Sequence, residues 1–315
     1  MKRAFIFPGQ GSQAVGMGKA LADAFPQAKA VFDEVDEALS QKLSTLMWDG
    51  PAEELTLTAN TQPALMAVSL AAMRVLEAEA GLDLKKHAAF VAGHSLGEYS
   101  ALAAAGSLSI ADTARLLRIR GNAMQNAVPV GQGAMAALLG LEYDTALEVA
   151  KAAAQGEVCD AANDNGGAQV VVSGHKAAVE RAVTIAQEKG AKRAVMLAVS
   201  APFHCALMQP AADAMREALA GVTVNAPVVT VVANVEAAPI TDPAAIKDAL
   251  VRQVTGTVRW RECVAYMAAQ GVESFYEVGS GKVLTGLVKR IAAGATSSAI
   301  GTPDDVAAFK ASLQG

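Results

Sequence analysis

The stretch from Ala88 to Ala105 constrains this chain more tightly than any other part of it. Its first five residues, Ala88–Ala92, are apolar and few enough for a buried parallel strand. From Leu96 onward, alanine and leucine sustain a helix. Between the two stand Gly93, His94, Ser95, Leu96 and Gly97, a G-x-S-x-G pattern. A serine on so sharp a strand-to-helix turn is held in strained backbone with its hydroxyl exposed. Side chains in place of the flanking glycines would clash with the turn. The helix that follows points free N–H groups and the positive end of its dipole at the same spot, where an oxyanion can be held. The competing reading is that Ser95 merely caps a helix. Acyl chemistry is the expectation, and this stretch does not say of which kind.

Composition narrows the setting. The 315 residues suggest one large domain, or one with a smaller companion. With 52% hydrophobic and 18% charged residues the chain can bury a large core, and with 4% aromatics that core is built of Ala, Val and Leu. No apolar run approaches the ~20 residues that span a bilayer. The opening Met1–Phe7 lacks the pattern and cleavage site of a signal peptide. Cys159, Cys205 and Cys263 are widely spaced with no C-x-x-C pair, which argues for a reducing compartment and against a zinc site or disulfide framework. A net charge of −5 gives no support to nucleic-acid binding. A cytoplasmic α/β enzyme, monomeric and free of the membrane, is expected.

In chain order, Arg3–Phe7 reads as a buried strand ended by Pro8. The loop Gly9–Gln13 follows, with glycines that let backbone amides approach a ligand; it lacks the Lys-Ser/Thr ending of a P-loop. Apolar spacing predicts helices over Ala14–Leu39 and Pro63–Ala80, the second leading through Gly81 to the central strand, as in a doubly wound sheet. Ser109 and Asp112 resemble a capping box for the next helix. Of its three arginines, Arg115 and Arg118 can face water. Arg120 has Leu116, Leu117, Ala123 and Met124 at helical spacing and falls on the apolar stripe. A guanidinium there is costly unless an anion meets it, either a substrate or a core carboxylate.

Gly131 and Gly133 mark a linker, after which the pattern is strand 134–139, helix 143–154, strand 158–162, strand 169–173, helix 177–189 and strand 193–199. That βαββαβ order is ferredoxin-like. It predicts a small domain over residues 131–200 inserted into a large one made of residues 1–130 and 201–315. Beyond it lie a strand at 228–232, helices from Pro243 and Arg261, a last strand at 273–278 and a final helix opened by Gly279–Lys282. Only four histidines exist. His94 should diverge from its neighbour's hydroxyl, and His87 and His175 fit solvated surface positions. His204, in a loop at the domain junction, is the candidate base.

Taken together, these residues resemble the malonyl-CoA:acyl-carrier-protein transacylases of dissociated bacterial fatty-acid synthesis, almost end to end. The likeness is carried by Phe7–Gln13, Gly93–Glu98, Arg120, Asn163–Asn165 with Gln169 before Val170–Gly174, Pro202–His204, Gln253 ahead of Val258–Trp260, and Glu277–Gly286. Gly166–Gly167 and Ser280 depart from it where proline is frequent. The resemblance implies an α/β-hydrolase-like large domain with a mostly parallel sheet and a ferredoxin-like insert. It implies Ser95 as nucleophile, His204 as base and a Gln253 backbone carbonyl in place of an acid. Gln13 and Leu96 would supply oxyanion-hole amides and Arg120 a carboxylate clamp, with Phe203, Asn163 and Asn165 beside the substrate. Malonyl-CoA and acyl-carrier protein are the implied partners, through an acyl-serine, with no metal and no cofactor. A serine thioesterase, a discrete polyketide acyltransferase and a non-catalytic acyl-binding subunit are the rival readings.

Carrier proteins are acidic and this chain is itself net negative, so docking calls for local basic patches. Lys189, Lys192 and Arg193 form one candidate cluster. Lys282, Lys289 and Arg290 form another, with Lys282 and Lys289 expected on one helix face. If the insert folds over the large domain, the two flank the cleft mouth; ordinary solvated lysines are the alternative.

Overall fold

The computed structural model describes residues 1–314. Its strands are β1 Lys2–Phe7, β2 Phe90–Gly93, β3 Gly133–Leu139, β4 Cys159–Asp164, β5 Gln169–His175, β6 Arg193–Met196, β7 Thr230–Ala233, β8 Ala238–Ile240, β9 Val272–Val278 and β10 Thr296–Ile300. They form two sheets. The larger has the order β10-β9-β1-β2-β7-β8, parallel except for the edge strand β8. Ala4–Phe7 in β1 are wholly buried because helices cover both faces of a parallel sheet, which explains the unbroken apolar run. The smaller sheet is antiparallel with the order β4-β5-β3-β6, the ferredoxin-like arrangement.

The pleat of the small sheet divides its labour. Ala136, Leu138, Val170 and Val172 pack under the helices Tyr143–Ala154 and Lys176–Glu188 in a core of their own. Met135, Ala137 and Val171 alternate with them and turn to the cleft. The small sheet is fastened at β4 to the segment between the helices Pro243–Thr255 and Trp260–Ala269, where the Val258 amide donates to Ala162 O (2.8 Å) and the Asp164 amide to Val258 O (3.0 Å). An ion pair of Arg261 with the buried Asp164 at 2.8 Å lies beside it.

Some expectations fail locally. The helix expected over Ala14–Leu39 is two, Lys19–Ala24 and Pro26–Leu39. Phe25 between them is extended, as a residue before proline prefers to be. The next long helix starts at Thr58 rather than Pro63 and carries the proline inside it. Arg118 is only half exposed and donates to Gln41. His87 and His175 are not simply solvated: each Nδ1 accepts a backbone amide, from Asp83 and Val158 respectively, both at 2.9 Å. Lys282 precedes the helix Val283–Ile291 with non-helical backbone, so it shares no helix face with Lys289.

Candidate active site

Ser95 stands between the end of β2 and the helix Gly97–Ala104 with φ +54°. The turn admits nothing larger than glycine at its flanks. A Cβ on Gly93 would lie 1.9 Å from the Gly97 carbonyl, and one on Gly97 2.3 Å from Phe7 O. The Ser95 amide donates to Asn234 Oδ1 at 2.9 Å, which fixes the turn, and Leu96 next to it lines the cleft.

The hydroxyl meets two partners from distant parts of the chain. Ser95 Oγ is 2.7 Å from His204 Nε2, and Arg120 Nη2 donates to Ser95 Oγ at 3.1 Å. His204 Nδ1–H donates to the Gln253 main-chain carbonyl at 2.8 Å. That bond fixes the tautomer, so Nε2 presents a lone pair to the serine proton. Burial, and next the Arg120 charge, push the His204 pKa down to about 3, so the imidazole is neutral at physiological pH. His94 turns away, as expected, and its Nε2–H donates to Asn165 Oδ1 at 2.8 Å.

Arg120 is 1% exposed on the helix Ile110–Asn126. No carboxylate lies within ion-pair distance of it among the described residues, so the expected alternative of a core salt bridge is not what the structure contains. Its acceptors are neutral: Nη1 donates to Gln62 Oε1 and Nη2 to Gln253 Oε1, both at 2.8 Å. Its guanidinium also stands 5.6 Å from the Tyr99 ring centre. Burial lowers the arginine's pKa from its ordinary value, yet the group remains the one cation aimed at the serine.

A cleft of about 420 Å³ opens over these groups. Gln13, Leu96, Phe203, Asn163 and Asn165 all line it together with Ser95, His204 and Arg120. Gln253 lies behind the wall, fully buried. Gln13 also folds its side chain back, accepting the Gly11 amide at 2.7 Å. Of the departures from the family pattern, Gly166 and Gly167 adopt positive φ against Ile291 and Arg290, and Ser280 donates to Ser12 O at 2.8 Å. Sequence reasoning missed Gln62, Asn234 and the role of Glu98. The available signal was a polar side chain inside an otherwise apolar run. Glu98 stands in the first turn of the Gly97–Ala104 helix beside apolar residues, and Gln62 stands directly before the apolar run Pro63–Val68.

Of the basic candidates, Arg290 donates to Oε1 of Gln169, a residue that lines the cleft, at 3.3 Å. Arg193 pairs with Leu139, which pairs with Gln169, so it occupies the same end of the small sheet two strands away. Lys192 packs on Gly140 at that end.

A serine at a strained turn, a neutral histidine on its hydroxyl and a parallel sheet beneath define an acyl-transfer enzyme working through an acyl-serine. The chain belongs to the acyltransferase family, matching the acyl transferase domain over residues 4–302. It is 52% identical over 305 residues to the malonyl CoA-acyl carrier protein transacylase of Escherichia coli K12, covering 97% of each chain. The crystal structure of acyl-carrier-protein-S-malonyltransferase from Bartonella henselae superimposes with TM-score 0.98 at 57% identity over 100% of both chains. A malonyl-transacylase solved in complex with its type II PKS acyl-carrier protein aligns with TM-score 0.96 at 43% identity, over 99% of this chain and 100% of that one.

Proposed function

We propose that this chain transfers the malonyl group of malonyl-CoA to the phosphopantetheine thiol of acyl-carrier protein. The observation that carries the reading is Arg120: a buried cation without a carboxylate of its own, 3.1 Å from a serine that is hydrogen-bonded to a base. Such a group costs free energy in an empty site and recovers it when a carboxylate enters. A free malonyl carboxylate supplies that anion, and the guanidinium fork accepts it bidentately.

In the first half-reaction Ser95 Oγ attacks the thioester carbonyl while His204 Nε2 takes its proton. The amides of Leu96 and Gln13 hold the oxyanion. The C–S bond breaks, and the thiolate of CoA leaves with the proton from His204. In the second, the carrier's thiol attacks the acyl-serine, its proton passes to His204, and Ser95 is released with that proton. A neutral carbonyl on Nδ1 makes a weaker base than a carboxylate would, which suffices for an activated thioester. Every group this sequence needs is a side chain or amide of the chain, so the reading calls for no metal and no cofactor. Phe203, Asn163 and Asn165 bound the acyl pocket in this reading.

We further read residues 131–200 as an inserted domain between the two parts of the large one, and the three free, buried cysteines as those of a cytoplasmic protein. No helix among the described residues is long and apolar enough to cross a membrane. The carrier is read as resting on Lys189, Lys192, Arg193, Lys282, Lys289 and Arg290. The likeness to a transacylase solved with its carrier supports a carrier partner of that kind. The test is intact-protein and peptide mass spectrometry after incubation with malonyl-CoA. A malonyl adduct on the Ser95 peptide is expected, absent in Ser95→Ala and slowed about a thousandfold in His204→Ala. An adduct elsewhere, or one that drains to water as fast as to a carrier thiol, refutes the reading.

A further inference from the structure

Glu98 sits just beyond the nucleophile in the first turn of the Gly97–Ala104 helix. It is 2% exposed, and no cation lies within ion-pair distance among the described residues. A carboxyl group in an alanine-rich helix is costly, and its hydrogen bonds show where it acts. Glu98 Oε2 accepts the Asn234 amide and Gln253 Nε2, both at 3.0 Å. The Gln253 carboxamide is thereby fixed from end to end. Its nitrogen donates to Glu98 and to Ser95 O (2.9 Å), and its oxygen accepts Arg120 Nη2 (2.8 Å). The main-chain carbonyl of the same residue holds His204, and Asn234 holds the Ser95 amide. One carboxyl group therefore stands behind the nucleophile's turn, the base's anchor and the buried cation.

We propose that Glu98 is a positioning and specificity-determining residue of acyl transfer, acting through the Gln253 carboxamide on Arg120. As a carboxylate it draws on the guanidinium's positive field and weakens its hold on an acyl carboxylate; as a carboxylic acid it leaves that field to the substrate. The inference rests on the reading of Arg120 as the malonyl clamp.

The groups around Glu98 leave it as the one that changes charge near neutrality. Burial pushes its pKa up to about 7, against the lowering influence of the Asn234 amide, Gln253 and Arg120. Tyr99 on its own helix is pushed up to about 12 by burial, and Cys263, from the Trp260–Ala269 helix, is pushed up further. His204 is held down at about 3, and burial lowers His94 as well. Glu236, from the turn after β7, adds a raising charge, and Arg120 is the facing cation.

The experiment loads wild type and Glu98→Gln with malonyl-CoA and, separately, acetyl-CoA between about pH 6 and pH 8.5, a range that brackets a titration near neutrality. The Ser95 adduct is followed by mass, giving kcat/KM for each acyl group. In wild type the malonyl-to-acetyl ratio is expected to fall about tenfold as pH rises through this range, a coupling of ordinary size. Glu98→Gln keeps an oxygen for Asn234 and Gln253 but carries no charge, so its ratio should stay flat at the low-pH value. A flat ratio in wild type, or one in Glu98→Gln that falls as wild type does, overturns the proposal. The wild-type curve decides alone if the variant does not fold. Absence of any malonyl adduct on wild-type Ser95 would instead overturn the transacylase reading, so the two failures are distinguishable.

Discussion

Arg120→Ala should separate malonyl from acetyl loading. The guanidinium is almost wholly buried, with neutral Gln62 and Gln253 oxygens at 2.8 Å as its companions. A malonyl carboxylate docking there forms a buried, charge-assisted pair. Removing one partner of such a pair costs about 3–5 kcal/mol. At about 1.4 kcal/mol per decade, kcat/KM for malonyl-CoA should fall by roughly two to nearly four decades. Acetyl-CoA brings no carboxylate, so at the reacting serine the variant loses only the Arg120 bond to Ser95 Oγ at 3.1 Å. Its acetyl rate should stay within about tenfold of wild type, since one neutral-acceptor hydrogen bond is worth about 1.5 kcal/mol. The assay is single-turnover loading read by intact mass with each thioester, accompanied by a thermal melt. The melt matters because the substitution leaves two carboxamide oxygens without a donor, at about 1–3 kcal/mol each, while removing an unpaired buried charge. Parallel losses with malonyl and acetyl groups, in a variant that melts like wild type, would refute the clamp.

Two further outcomes are expected. Reversing charge at Lys192 and Lys289 together should raise the KM for carrier protein severalfold, more at low salt, and leave malonyl-CoA loading of Ser95 unchanged; a carrier KM that does not move would show that the carrier docks elsewhere. Stability should carry two opposed pH dependences. His204, held from 6.5 down to about 3, contributes stability present above pH 6.5 and lost as pH falls, whereas Glu98, raised from 4.5 to about 7, contributes stability present below pH 4.5 and lost as pH rises. The slopes oppose one another between pH 4.5 and 6.5. Urea titrations of Glu98→Gln in that window should therefore show stability climbing with pH more steeply than in wild type, and equal slopes would refute the assignment.

Much of this site was legible in the sequence because its parts obey local rules. Gly93 and Gly97 are there for want of space, and Arg120 is singled out by its position on an apolar helical stripe. His204 emerges by elimination among four histidines. The two-sheet plan was legible from the glycine linker at Gly131 and Gly133 and the βαββαβ order after it. What stayed hidden depends on contacts across the chain. Gln62 and Asn234 gain their roles from partners 58 and 139 residues away, and the side chain of Gln253 from one 155 away. A glutamine or asparagine looks alike in sequence whether it faces water or the turn that holds Ser95. The break at Phe25 was missed because apolar spacing continues across it, although Pro26 supplied the signal.

The bridge that fastens β4 bears on how this fold can be recombined. Val258 and Arg261 belong to the segment that follows Gln253, yet they fasten β4. His204, for its part, sits on the chain that returns from β6. A graft cut at the linkers alone would import a new cleft wall from the donor but keep the host's fastening points. The transplanted wall and the resident His204 would then be set by different parents. A chimera meant to change acyl preference therefore has its natural seams after Asn126, before Gln209 and around Thr257–Arg261, so that wall, His204 loop and fastening travel as one piece.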